Sequence, residues 1–293
     1  NGFRGSFFGG GHVITGMRMG LNQERVGFVG EWNISPGVYH HITDLIFDTP
    51  EVEGTSKVGA VVGEKSVAFN TLIGNIEVRG GEIRARQVTS MSYLGGIIGQ
   101  GLRTNLFNLK TSRVKIEGEG WYIGGIFGES INSELLRKLV SRSYVGGPNW
   151  ATLHNVGGIG GKLISNTIIV GGLSEWASES IVVGTQNVGG LLGDWNSTYH
   201  TGAVAHRPME IVYATGSVTI RGSNADYVGG LFGTNYNNAV LNQAYFAGSL
   251  LNAGNDPICG GPACSVGWVT GAANVLNATN VYVMGESGGG FDS

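Results

Sequence analysis

The chain contains 293 residues, of which 41% are hydrophobic and 13% charged, and its formal net charge is −3. A typical soluble domain has about 25% charged residues, so this chain is poor in charge yet has enough apolar residues to bury a core, which excludes a disordered tail. Its lysines and arginines form no basic patch and no run of about 18 apolar residues occurs, so neither a nucleic-acid partner nor a transmembrane helix is predicted.

The first 25 residues precede a recurring glycine motif and are predicted to form a leading coil. Because the chain opens at Asn1 within what reads as a running pattern, we expect it to be a processed or excised part of a longer protein. Residues 1–293 are predicted to form one elongated repeat domain, with residues 272–293 as a terminal coil or a glycine-rich tail.

The recurring motif consists of an aliphatic residue, a Gly-Gly-like pair, two mostly apolar residues and a closing glycine. A shortened copy starts at Val26, and seven full copies start at Val58, Leu94, Ile123, Val156, Val188, Val228 and Val266. The first glycines of these copies are 29 to 40 residues apart, which is the range of stacked repeat proteins.

The segments between motif copies are short, rich in β-branched residues and bounded by Gly, Asn and Ser, as in residues 71–78 and 217–221. These are strand and turn signals. They predict an all-β parallel β-helix, or β-solenoid, of about eight to nine glycine-rich coils. A propeller is less favoured because its blades usually need about 40 to 45 residues. Residues 133–140 carry apolar spacing that leaves helix or strand open.

Glycine inside a strand implies a bend or a close backbone approach, so the motif glycines are predicted to be structural. They are Gly59, Gly95, Gly96, Gly124, Gly125, Gly157, Gly158, Gly189, Gly190, Gly229, Gly230 and Gly267. By contrast, Lys65 is expected to lie on the surface, where its replacement by alanine changes stability by no more than about 0.5 kcal/mol.

The copy at residues 228–233, Val-Gly-Gly-Leu-Phe-Gly, resembles the GLUG repeat of large bacterial surface and secreted proteins. Residues 3–16 are similar to the F-x-G-x-F-x-G-x-G-H-x-I-x-G stretch that commonly leads into such arrays. The resemblance covers roughly the whole chain. It implies a β-helical architecture and an extracellular or bacterial cell-surface location, and it is weak for activity because these repeats occur in adhesins, in accessory regions of proteases and in proteins of unknown role.

Two polar and aromatic insertions are candidate ligand-binding loops. One contains Trp32 and Tyr39 followed by two histidines, and the other, in the longest motif spacing, contains Trp195, Tyr199 and His200. Trp and Tyr offer flat apolar faces to sugar rings, and insertions in a solenoid often carry function. The alternative, that these loops merely cover an edge of the core, stays open.

The residue after each closing glycine is usually polar, and these residues are Glu31, Glu64, Gln100, Glu129, Lys162, Asp194 and Thr234. If one motif copy falls in each coil, Glu31 and Glu64 are neighbours. Paired carboxylates raise a pKa for general-acid chemistry or bind calcium. A solvated column of turn residues is the simpler interpretation.

Cys259 and Cys264 are the only cysteines, and the glycine- and proline-rich segment between them suits a small disulfide-closed loop. Such a bond predicts an oxidising compartment. Free thiols or half of a metal site is the alternative, although no further cysteine or histidine ligands lie nearby. No metal and no cofactor is predicted.

In an extended strand, Leu191 and Leu192 would lie on opposite faces, and the other motif copies repeat this arrangement. The outer apolar face would then need a cover, either loops of the same chain, a second sheet or another protein chain, and the last of these predicts a homo-oligomer or polymer. The sequence thus favours an extracellular structural or adhesive rod that contacts glycans, surfaces or its own copies. The alternative is a polysaccharide lyase or glycosidase on the same scaffold.

Overall fold

The computed structural model describes residues 2–20, 22–34, 37–86, 91–148, 152–164, 172–196, 208–221, 227–236, 239–252, 265–273, 276–284 and 286–287. Within these ranges the chain forms three β-sheets. In each sheet, a strand pairs in parallel with its counterparts in the neighbouring coils. Among the described residues none lies in a helix, and hence none in a helix long and apolar enough to cross a membrane.

The largest sheet has 16 strands in two adjoining rows. The first row contains Phe7–Thr15, His40–Asp48, Thr71–Arg79, Thr104–Gly118, Leu135–Gly146, Gly172–Ser178, Met209–Ala214, Ala239–Phe246 and Leu276–Val283. The second row contains Arg18–Gly20, Glu51–Gly54, Glu82–Ala85, Ile181–Gly184, Ser217–Ile220, Ser249–Asn252 and Glu286–Ser287. The ends of the two longest first-row strands, at Gly118 and Gly146, continue the second row. We call this sheet the long sheet.

The glycine motif builds the other two sheets, each with eight strands. The first motif sheet contains Arg25–Val26, Lys57–Val58, Tyr93–Gly95, Tyr122–Gly124, His154–Gly157, Gln186–Gly189, Tyr227–Gly229 and Ser265–Gly267. The second contains Val29–Glu31, Val62–Lys65, Ile98–Leu102, Phe127–Ile131, Gly160–Ile164, Leu192–Asn196, Phe232–Tyr236 and Thr270–Ala273. The predicted parallel β-solenoid is confirmed. Eight stacked strands are separated by about seven turns, slightly fewer than the eight to nine coils expected.

The motif bends between its two apolar residues and does not run straight. Gly190 and Leu191 form a bend that joins the two motif sheets. As a result Leu191 and Leu192 both enter the core and are fully buried, and the pair Leu231 and Phe232 behaves in the same way. The assignment of the two residues to opposite faces was therefore wrong, and of the possible covers for this apolar surface the structure shows the chain's own.

The motif glycines occupy positions with no space for a side chain. At Gly190, an added Cβ atom would overlap the carbonyl oxygen of Gly230 and lie 2.9 Å from the Cβ atom of Ala214. At each of the predicted structural glycines, the nearest heavy atom would lie less than 3.0 Å from such a Cβ. Close backbone approach between neighbouring strands is therefore built into every coil.

A second bend divides each first-row strand of the long sheet. Eight residues in one register column adopt left-handed φ angles between 52° and 61°, namely Asp44, Asn75, Asn108, Lys138, Glu175, Ile211, Gln243 and Asn280. We call this set the left-handed column. Asn75 Nδ2 donates to Asp44 Oδ1 at 3.0 Å, and Asn108 Nδ2 donates to Asn75 Oδ1 at 2.9 Å. Asn and Asp tolerate this conformation better than most residues, which explains the polar start of the column.

The spacing of residues 133–140 was compatible with a helix or a strand. In the structure, residues 135–140 begin the strand Leu135–Gly146. Its Leu136 and Leu139 are both buried although they are three residues apart. The left-handed Lys138 between them shifts the alternation by one residue. The apolar spacing that resembled a helix is therefore the signature of the bend.

One continuous core fills the solenoid along its length. It includes Trp32, whose Nε1 donates to the carbonyl oxygen of Gly5 at 3.0 Å. It also includes Lys65, which has no exposed surface. The expectation that Lys65 lies on the surface was wrong, because its aliphatic stem runs inward and its ammonium group finds backbone carbonyls.

Removing one coil tests whether the coils are additive. Deletion of residues 157–188 joins Val156 to Gly189, the register partner of Gly157. Because each coil contacts chiefly its neighbours, we expect a shorter folded rod with a strand-type far-UV spectrum and one cooperative unfolding transition. Loss of the strand signal in the deletion variant would contradict additive stacking.

Candidate functional site

Two of the residues predicted to bind a ligand are buried. Trp32 lies wholly in the core, and Trp195 is 2% exposed with its ring 5.2 Å from that of Phe232. Neither indole offers a face to a sugar ring. The predicted binding role of Trp32 and Trp195 is therefore corrected to a packing role.

Of the other residues predicted to bind a ligand, Tyr39 lies in the described part of the chain. Tyr39 is 50% exposed, and its hydroxyl oxygen accepts a hydrogen bond from Asn105 Nδ2 at 3.2 Å. Of the two histidines that follow it, His41 packs edge-on against Phe8, with ring centroids 4.3 Å apart. The predicted residues Tyr199, His200, Cys259 and Cys264 lie outside the described residues.

The polar residues that follow the closing glycines stand in one register column of the second motif sheet, as expected. The column runs Glu31, Glu64, Gln100, Glu129, Lys162, Asp194 and Thr234. Residues of the first motif sheet face it, namely Arg25, Lys57, Tyr93 and Tyr122. We call these eleven residues the polar seam. The solvated-turn interpretation was wrong, because Glu64, Glu129 and Asp194 are each at most 6% exposed.

At one end of the seam, two cations neutralise the neighbouring carboxylates. Arg25 pairs with Glu64 and, at 3.6 Å, with Glu31. Lys57 Nζ lies 2.5 Å from the other oxygen of Glu64. The attraction of Glu64 raises the pKa of Arg25 above its ordinary value. The two carboxylates are thus held in ion pairs with Arg25 and Lys57.

In the middle of the seam, Glu129 is enclosed with an amide. Gln100 Nε2 donates to Glu129 Oε2 at 2.7 Å. Burial raises the pKa of Glu129 above its ordinary value, against the opposing effects of Gln100 and Lys162. Glu129 therefore holds a proton more readily than an exposed glutamate.

The next two coils contribute a buried ion pair. Lys162 Nζ lies 3.5 Å from Asp194 Oδ2, and Thr234 Oγ1 donates to Asp194 Oδ1 at 3.1 Å. Burial raises the pKa of Asp194 above its ordinary value. Burial alone would lower the pKa of Lys162, but Asp194, Tyr122 and Glu129 outweigh it and the pKa is raised.

The two tyrosines of the polar seam stack on each other, and further aromatic rings lie beside them. The rings of Tyr93 and Tyr122 stack with centroids 5.1 Å apart, and Lys162 Nζ lies 5.2 Å from the centroid of Tyr122. Beside them Trp121 stacks on His154 at 4.7 Å. Sequence reasoning missed these residues. In the sequence, each of them lies directly before the aliphatic residue that opens a motif copy, or one residue earlier, and this recurring position could have identified them.

In the part of the chain that the structure describes, no three His, Cys, Asp or Glu side chains are grouped to hold a metal ion. Comparison with protein-family models, with curated proteins and with solved structures gives no match. The resemblance to GLUG repeats therefore stays a prediction.

Proposed function

We propose that this chain is a section of an extracellular structural or adhesive rod of bacterial type. The observation that carries the proposal is the single core that continues through eight stacked motif strands. Each coil buries its apolar residues against the coils on either side, so the stack resists bending and holds its surface residues at fixed spacing. Such a scaffold suits the spacing and presentation of contact surfaces.

The polar seam supports this proposal because its groups satisfy one another. Arg25 and Lys57 neutralise Glu64, and Gln100 and Thr234 donate to buried carboxyls. Cross-strand pairs of this kind stabilise a ladder. Ion pairs also link coils on the long sheet, as between Lys110 and Glu77 at 3.0 Å.

A contact surface for adhesion is offered by the last coils of the long sheet. There Tyr213, Tyr245 and Tyr282 occupy one register column on three successive coils. Tyr282 is 65% exposed and the nearby Met284 68%. In earlier coils the same column holds Glu77, Lys110, Val140 and Ala177. Exposed clusters of tyrosine and apolar residues are typical of binding surfaces.

The test combines binding, assembly and product analysis. The chain is incubated with a panel of glycans, with light scattering to follow self-association and chromatography to detect cleaved products. We expect glycan retention or multimers without cleavage, and weaker association for Tyr245→Ser/Tyr282→Ser. A strictly monomeric chain that retains no glycan would overturn the adhesive role.

A polysaccharide-degrading enzyme is the second candidate, and one observation favours it. Glu129 and Asp194 share a register column two coils apart, or about 9.6 Å at the usual strand spacing. Inverting glycosidases hold their two carboxyl groups about 6.5 to 9.5 Å apart, which is close to this separation of the two strands. We rank it second because Lys162 stands between the two carboxyls and pairs with Asp194. Release of cleaved oligosaccharides in the same assay would favour the enzyme.

A further inference from the structure

The polar seam places an amine and two carboxyl groups in one column. Glu129, Lys162 and Asp194 are register neighbours on three successive strands, which lie about 4.8 Å apart. Lys162 Nζ is 3.5 Å from Asp194 Oδ2. An amine held in an ion pair with a carboxyl group lies next to the carbon that it would attack.

We propose that Lys162 and Asp194 condense into an amide bond that joins two neighbouring coils covalently, with Glu129 as the proton-transfer group. This inference concerns a modification of the chain itself and is independent of the ligand of the rod.

The surroundings favour a neutral product over the ion pair. Glu129 and Asp194 are 5% and 6% exposed, and a buried ion pair pays a desolvation cost that a neutral amide avoids. The same burial raises the pKa of both carboxyls, whereas Asp194, Tyr122 and Glu129 raise the pKa of Lys162. The reaction therefore proceeds through the small fraction of molecules in which a proton has passed from the ammonium group to a carboxylate. The amine thereby becomes a nucleophile and the protonated carboxyl becomes an electrophile.

Neighbouring side chains hold the reacting groups in place. Thr234 Oγ1 donates to Asp194 Oδ1 and fixes the carboxyl, while Oδ2 faces the amine. The ring of Tyr122 lies beside Nζ, 5.2 Å from it. Gln100 Nε2 donates to Glu129 Oε2 and orients the carboxyl that moves the protons. Reacting groups fixed in this way need little reorganisation.

The reaction balances without an oxidant or a further reactant. The neutral amine of Lys162 attacks Asp194 Cγ, and the N–C bond forms as the C=O electron pair moves to oxygen. Glu129 takes a proton from the nitrogen and returns one to a departing hydroxyl. The C–O bond then breaks and one water molecule leaves. An ammonium and a carboxylate thus become one amide and one water, with no net gain or loss of protons.

Mass spectrometry of the denatured, intact chain tests the proposal. We expect a mass lower than the sequence mass by one water molecule, and a proteolytic peptide in which Lys162 is joined to Asp194. Lys162→Arg keeps the positive charge but cannot form the bond, so it should show the full sequence mass. Glu129→Gln keeps the size of the side chain, and we expect it to react roughly a hundredfold more slowly or worse.

Each outcome decides the proposal. A wild-type chain at full sequence mass would overturn it. So would a loss of water that persists in Lys162→Arg, because that loss would come from cyclisation at an aspartate. The cross-linked peptide, read from the wild-type chain alone, supports the proposal even if a variant fails to fold. It would also exclude Asp194 as a free carboxyl in the enzyme alternative.

Discussion

Gly190→Val is expected to destabilise the protein by about 3 kcal/mol or more. The added side chain would overlap the carbonyl oxygen of Gly230 in the next coil and contact Ala214. The overlap cannot be relieved by rotating a side chain, because the obstacle is backbone that itself belongs to the ladder: Gly190 N donates to Gly230 O at 3.1 Å. Urea unfolding followed by circular dichroism measures the effect.

The matched control is another strand glycine, Gly20. It ends the strand Arg18–Gly20, and an added Cβ there would meet nothing within 4 Å. We expect Gly20→Val to change the free energy of unfolding by no more than about 0.5 kcal/mol. Equal effects at Gly190 and Gly20 would show that the motif glycines reflect composition and not close packing.

Lys65→Met is expected to cost about 3 kcal/mol, although it replaces a charge with an apolar group of similar length. Lys65 Nζ donates to the carbonyl oxygens of Val67, Phe69 and Leu102, and contacts that of Arg103 at 3.5 Å. Methionine leaves these buried acceptors without a partner, and each unsatisfied acceptor costs about 1 to 3 kcal/mol. Lys115→Met, on the exposed surface, is the control. If both variants lowered the free energy of unfolding by a similarly small amount, this role of Lys65 would be contradicted.

The stability of the wild-type chain should also depend on pH through Lys65. Burial, and secondarily the nearby Arg103, lower the pKa of Lys65 from 10.5 to about 7. Between these two values the unfolded chain binds more protons than the folded chain, so the free energy of unfolding rises with pH in this window. Lys65→Met lacks this rise. The stability difference between the two proteins should therefore widen from about pH 7 to about pH 9; a constant difference would show that Lys65 stays charged in the fold.

The glycine motif was sufficient to predict the solenoid, because a repeated Gly pair within apolar residues demands close backbone packing in every coil. The directions of individual side chains were harder to predict from the sequence. Leu191 and Leu192 were assigned to opposite faces because the alternation rule assumes an extended strand, whereas the chain bends between them. The same rule fails at Lys138, whose left-handed φ of 56° places Leu136 and Leu139 on one side.

The polar seam was only half predictable. Stacking one motif copy per coil correctly aligned Glu31 with Glu64. The burial of Glu64 was not predictable, because it depends on Arg25 and Lys57 of the facing sheet. Trp32 and Trp195 were predicted to bind a ligand because each lies in a polar stretch of the sequence. The residues that bury them could not be identified from the sequence.

The parallel ladder also determines how the rod responds to force. Hydrogen bonds between coils point along the axis of the stack, so tension applied to the two ends of the chain loads them directly and peels the coils off one after another. The coil between Gly157 and its register partner Gly189 contains 32 residues. When released and fully extended, this coil would span about 110 Å at about 3.4 Å per residue. A rod that is stiff under bending would thus extend in discrete steps when pulled, and would absorb a sudden load without detaching as a whole.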